Sequence, residues 1–180
     1  MAKTYVSMLR GINVSGHRRV RMEGLKQIYV SLGYRNVRTY LQSGNVVFES
    51  AGASADSLGK EIEESLMRRL GLDVPVLIRT DDELRALIMN NPFAERDQER
   101  LHVTFLYNKP GVLPIDTIDL AVADGEAYSM AEREVYLFCP NGYGRTKLSN
   151  AFFERVLKST ATTRNWSTTK SLYSLAESPR

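Results

Sequence analysis

The densest run of chemically useful side chains lies between residues 10 and 21. There Arg10, Arg18, Arg19 and Arg21 crowd a stretch punctuated by Gly11 and Gly16. Guanidinium groups make forked, bidentate contacts to phosphate or carboxylate. Glycines let the backbone approach a guest closely, and a loop leading into a helix aims N–H groups at an anion. The two glycines lack the triplet of a dinucleotide fingerprint, so the run specifies a sign of charge and no cofactor. A solvated basic loop whose glycines only make turns would look the same. Asn13 stands within this run, and Ser43 and Asn45 follow in a second turn-like segment.

Two further runs carry basic groups. Residues 141–149, Asn-Gly-Tyr-Gly-Arg-Thr-Lys-Leu-Ser, place Arg145 and Lys147 just ahead of a helical pattern. They lack the upstream glycine and the Gly-Lys-Ser/Thr core of a nucleotide-hydrolysing loop. Residues 162–170 set Trp166 between Arg164 and Lys170. That grouping could stack a base and grip phosphate, or anchor the C-terminal segment to the body. The candidate ligand contacts are therefore Arg10, Asn13, Arg18, Arg19, Ser43, Asn45, Arg145, Lys147, Arg164 and Trp166.

No catalytic residue declares itself. His17 is the most reasonable general base, but no carboxylate in the sequence is evidently there to orient it. His102 reads as a sheet-face residue, and Cys139, followed by Pro140, has no evident histidine partner. Two histidines and one cysteine fall short of a structural zinc set. The expectation is no metal and no cofactor.

The elements that must position these groups follow from periodicity. Lys3–Arg10 alternates as a strand, and Met22, Leu25, Ile28, Tyr29 and Leu32 recur at helical spacing before Gly33. Val37–Leu41 and Asn45–Phe48 form two strands joined through Gln42, Ser43 and Gly44. A helix from Ser54 to Leu70 and a strand over Asp73–Arg79 complete β-α-β-β-α-β, the ferredoxin-like order. Asp81, Asp82 and Glu83 open a connecting helix that runs to about Met89. The second half then reads as a strand at Leu101–Tyr107, a short helix at Ile115–Val122 and a hairpin of Glu126–Met130 with Glu134–Phe138. A helix capped by Thr146 follows, burying Leu148, Phe152, Val156 and Leu157, and a last helix spans Ser167 to Ala176. On this pattern a helix replaces the closing strand, and Pro179 and Arg180 fray. The expected class is α+β, two ferredoxin-like (α/β-plait) subdomains packed together with helices on one face of each antiparallel sheet. The expected boundaries are 1–80 and 81–180.

The charge distribution is uneven. The net of +3 divides into +6 over residues 1–50, −8 over 51–139 and +5 over 140–180. Basic ends around an acidic middle suit a polyanion partner or internal docking. The first ten residues do not form a signal peptide, and no apolar run approaches the roughly 18 residues of a membrane span. The default location is the cytoplasm.

Three segments in combination, residues 5–22 (YVSMLRGINVSGHRRVRM), 39–48 (TYLQSGNVVF) and the pair 142–148 with 162–166 (GYGRTKL, TTRNW), resemble the bacterial domain-of-unknown-function family 1697. Ser15 and Thr146 depart from the glycine and serine expected there, and both remain small. The resemblance implies two α/β-plait subdomains and assigns no activity. Function therefore rests on the residues: binding of an anionic ligand, a nucleic acid or a phosphorylated small molecule, through basic loops. The alternative is a small enzyme acting on a phosphorylated or carboxylated metabolite in a cleft between subdomains, and an oligomer-forming interaction role comes third. The first two require Arg10, Arg145 and Arg164 to meet around one guest.

Overall fold

The computed structural model describes residues 2–177; the fraying expected at Pro179 and Arg180 lies outside them. The chain is α+β and divides into two units, one of residues 2–87 with 171–177, the other of residues 88–170.

In the first unit β1 (Ala2–Leu9), α1 (Met22–Ser31), β2 (Arg35–Tyr40), β3 (Asn45–Ala51), α2 (Ala55–Leu70) and β4 (Val76–Thr80) build an antiparallel sheet of order β2-β3-β1-β4. Local chemistry sets the helix limits. The Ser54 hydroxyl accepts from the Ser57 N–H at 3.2 Å, and Gly71 ends α2 at φ 64°, a left-handed turn that glycine adopts without strain. Leu58, Ile62 and Leu66, four residues apart, are buried along one face of α2. They join Tyr5, Leu9, Val46, Phe48 and Ile78 in the core beneath the helices. Phe48 is the hub of that core. Tyr34 stacks on it at 4.7 Å between centroids and Tyr29 meets it edge-on at 5.3 Å, an aromatic cluster worth about 0.5–1.5 kcal/mol per pair beyond area burial.

The opposite face of this sheet is also buried. Val6 pairs with Val47 and Arg79, Met8 pairs with Leu77, and all of these are at most 1% exposed. After β4, Thr80 and Glu83 cap α3 (Asp81–Met89) reciprocally: Thr80 Oγ1 accepts from the Glu83 N–H at 3.1 Å, and the Glu83 carboxylate accepts from the Thr80 N–H at 2.8 Å.

The second unit repeats the topology. β5 (Leu101–Leu106), α4 (Ile115–Asp119), β6 (Ala127–Met130), β7 (Glu134–Phe138), α5 (Asn150–Leu157) and β8 (Ala161–Asn165) give the order β6-β7-β5-β8. Its helix-side core gathers Leu106, Ile118, Val135, Leu137, Leu148, Phe153 and Leu157. α6 (Trp166–Glu177) follows β8 directly. Two expectations are corrected. A closing strand does exist, since β8 pairs with β5 from Ala161 to Asn165. Its sequence, Ala-Thr-Thr-Arg-Asn, carries no apolar alternation, because its two inward positions opposite the α4–α5 face are Thr162 and Arg164. The cap of α5 is Ser149, whose hydroxyl accepts from the Phe152 N–H at 3.3 Å. Thr146 instead holds the Leu148 N–H at 3.1 Å, two residues on, and so shapes the turn before the helix.

The repeat extends to single residues. Arg79 on β4 stands opposite Val6, and Arg164 on β8 stands opposite Val103, at matching places of the two closing strands. Both are buried, at 1% and 8% exposure. Each donates from Nη1 to the carbonyl of the residue before it, at 2.8 Å to Ile78 and 3.0 Å to Thr163.

Candidate functional site

Asn13 organises the arginine loop. Its Nδ2 donates to the Val20 carbonyl at 3.0 Å and to the Gln42 carbonyl at 2.7 Å, while Oδ1 accepts from the Val20 N–H at 2.8 Å. One side chain thus closes the loop on itself and ties it to the turn between β2 and β3. Beside it, Ile12 is 1% exposed and packs where a Cβ on Gly44 would come within 2.5 Å of its Cδ1. Only glycine fits at 44, which also holds φ 80°. The turn is fixed from its own side as well: the Asn45 amide donates to the Tyr40 carbonyl and to Ser43 Oγ, both at 2.9 Å. Of the three residues expected as ligand contacts, Asn13 therefore joins the two loops, and Asn45 with Ser43 braces the turn that Asn13 grips.

The backbone of this pair is unusual. Asn13, Ser15, Arg18 and Leu41 all sit at positive φ, between 48° and 58°, though none is glycine. Such conformations cost of order 1–3 kcal/mol each and persist where surrounding structure enforces them. Here the enforcement is visible in the Asn13 bonds, the Asn13 N–H to Arg18 carbonyl bond at 3.2 Å and the tight turn closed by the His17 N–H on the Val14 carbonyl.

The clamped loop presents cations outward. Arg18, Arg19 and Arg21 are exposed and Arg10 is half-buried. The Arg18 guanidinium lies back near Gly11 and that of Arg19 near Gly16, 3.9 and 3.6 Å from where a Cβ would stand. No ion pair engages Arg18, Arg19 or Arg21 among the described residues. Arg21 also precedes α1, whose first turn has no side-chain cap. Glu23 in that turn accepts from Gln27 at 3.0 Å. The rim of the loop pair carries two exposed apolar side chains, Val14 at 58% and Leu41 at 52%. Neither stood out in the sequence; positive φ at a leucine has no composition signal.

The remaining candidates divide. In the second unit Arg145 and Lys147 are exposed on a strap pinned at both ends. Tyr143 stacks on His102 at 5.0 Å and its hydroxyl donates to Thr163 at 3.0 Å, while Leu148 is fully buried. Burial holds His102 below the ordinary histidine range, and its Nδ1 has no hydrogen-bond partner among the described residues. Arg164 and Trp166 lie in the interior. Arg164 Nη1 donates to Thr162 Oγ1 at 2.8 Å as well as to the Thr163 carbonyl, and burial lowers its pKa to about 10. Tyr5 is 4% exposed and packs on Phe48, so its ring is not offered to a ligand. Burial raises the Cys139 thiol to about 11, which removes its nucleophilic form near neutrality. No cluster of metal-ligating side chains exists among the described residues, and none of their helices is long and apolar enough to cross a membrane.

Residues 2–136 match the family model described as protein of unknown function, DUF1697. No curated protein matches the sequence. Among solved structures, the conserved bacterial protein SP0830 from Streptococcus pneumoniae is similar over 98% of this chain and 100% of its own, with a TM-score of 0.76 at 22% identity. At that identity the likeness speaks for the fold.

Proposed function

This chain belongs to the DUF1697 family of proteins of unknown function, and from that premise of a shared fold without an assigned activity we propose that it binds single-stranded nucleic acid through the arginine loop of its first unit. The observation that carries the reading is the combination of three exposed, acid-free guanidinium groups, Arg18, Arg19 and Arg21, with a backbone already locked by Asn13 and Ile12. A preorganised loop loses little freedom on binding, so more of each phosphate contact survives as affinity. Val14, Leu41 and the half-buried Tyr40 offer apolar surface beside the cations, where sugars or bases would lie. The route used by sheet-face RNA binders is closed over most of this sheet, because β1, β3 and β4 are buried on both faces over most of their length.

Fluorescence anisotropy with a labelled single-stranded oligonucleotide at low salt tests the proposal. Replacing Arg18, Arg19 and Arg21 together by alanine should weaken binding by about tenfold or more while the melting temperature stays put. Absence of binding at low salt removes the proposal. A second reading, an enzyme acting on a small phosphorylated or carboxylated metabolite, is favoured by one observation, the exposed His17 among these arginines. Its ring makes no hydrogen bond among the described residues that would orient it as a base. Competition by a free mononucleotide as effective as the oligonucleotide would favour that reading.

A further inference from the structure

The second unit has an open groove of ≈ 660 Å³ between α4 and α5, lined by apolar Leu120, Ala121 and Phe152 and by Lys147, Ser149 and Arg155. Its size falls in the range of about 300–1,000 Å³ typical of small-molecule sites. The groove is apolar where a core residue would normally be covered: Leu120 is 87% exposed, and Phe152 is only half-buried although its neighbour Phe153 is fully buried. Its charged groups share one sign. Lys147 and Arg155 are exposed cations, the Arg155 guanidinium lies 5.6 Å from the centre of the Phe152 ring, and among the described residues none lining the groove is acidic. The nearby Asp119 carboxylate on α4 accepts the Tyr128 hydroxyl at 2.7 Å. Ser149 Oγ accepts the capping N–H of Phe152, which leaves its own hydrogen to donate outward.

We propose that this groove binds a small monocarboxylate with a flat apolar body, the ring or chain lying on Leu120, Ala121 and Phe152 and the carboxylate held by Lys147, Arg155 and the Ser149 hydroxyl. The charge pattern selects this occupant. A neutral apolar molecule would leave two cations unused, and a polyanion would bring more negative charge than two cations match and no use for the apolar floor. The site uses none of the arginine-loop residues and stands or falls without that loop.

Amide NMR of the full chain titrated with naphthoate is the direct test, with naphthamide as the uncharged control of equal shape. The expected result is saturable shifts in residues 117–121 and 147–155, with naphthamide binding at least about fivefold more weakly, the loss expected when a charge-assisted contact becomes neutral. Exchanging Lys147 and Arg155 for glutamine should bring naphthoate down to the naphthamide level, and alanines at Arg18, Arg19 and Arg21 should change nothing. Shifts that map elsewhere, no saturation, or equal affinity for the two probes would overturn the proposal.

Discussion

Gly44 and Ile12 meet so closely that the turn after β2 cannot form as seen with any larger residue at 44. A Cβ there would also lie 3.0 Å from that of Leu9, and φ 80° would strain it. Gly44→Ala should cost about 2–4 kcal/mol, read as a lower urea midpoint at unchanged slope. His102 makes a second residue-scale prediction. Its folded pKa lies below the ordinary 6.5 because burial disfavours the charged ring. As pH falls through 6.5 the unfolded chain takes a proton that the native state refuses, so stability drops until the native ring itself protonates. The melting temperature should fall as the pH drops through about 6.5, and His102→Gln should remove part of that fall. An identical pH profile in the variant would show that the ring contributes nothing to acid lability.

At the scale of elements, the helices and most strands were legible in the sequence because their cores are written in spacing. Leu58, Ile62 and Leu66 announce α2, and Val74 to Ile78 announce the region of β4. β8 was not legible, since two of its three buried positions are filled by threonine and arginine, which hydropathy scores as surface, and the third is a small alanine. The same blindness placed Arg164 among ligand contacts. A guanidinium reads as exposed until a strand partner such as Val103 defines which way it faces. Asn13, Ser43 and Asn45 were legible as special but not as to purpose, because the bonds of Asn13 and one of those of Asn45 run to backbone groups, which no side-chain pattern encodes. The element-scale prediction concerns the paired arginines. Arg164→Lys removes the planar fork that serves Thr162 and the Thr163 carbonyl. It should lower stability by about 2–4 kcal/mol in urea unfolding. Melting like the unaltered protein would mean that the buried fork is not needed by the fold.

For the whole molecule, charge is concentrated where the fold leaves it free. Residues 1–50 hold a net charge of +6, and within them Arg18, Arg19 and Arg21 lie close together along one loop, exposed and without an acidic partner among the described residues. Two repeats of one topology supply rigid sheets, and the loop pair uses the first of them as a frame. The arginines need that frame: without the Asn13 clasp the loop would have to be ordered by the ligand itself, at a cost in affinity.

The salt dependence of oligonucleotide binding tests this directly. Each phosphate contact on a single strand contributes a slope of about 0.7 in log affinity against log salt. Removing Arg18, Arg19 and Arg21 together should therefore flatten the slope by about two. A slope unchanged by the triple substitution would contradict the account, because the phosphates would then be held elsewhere on the protein.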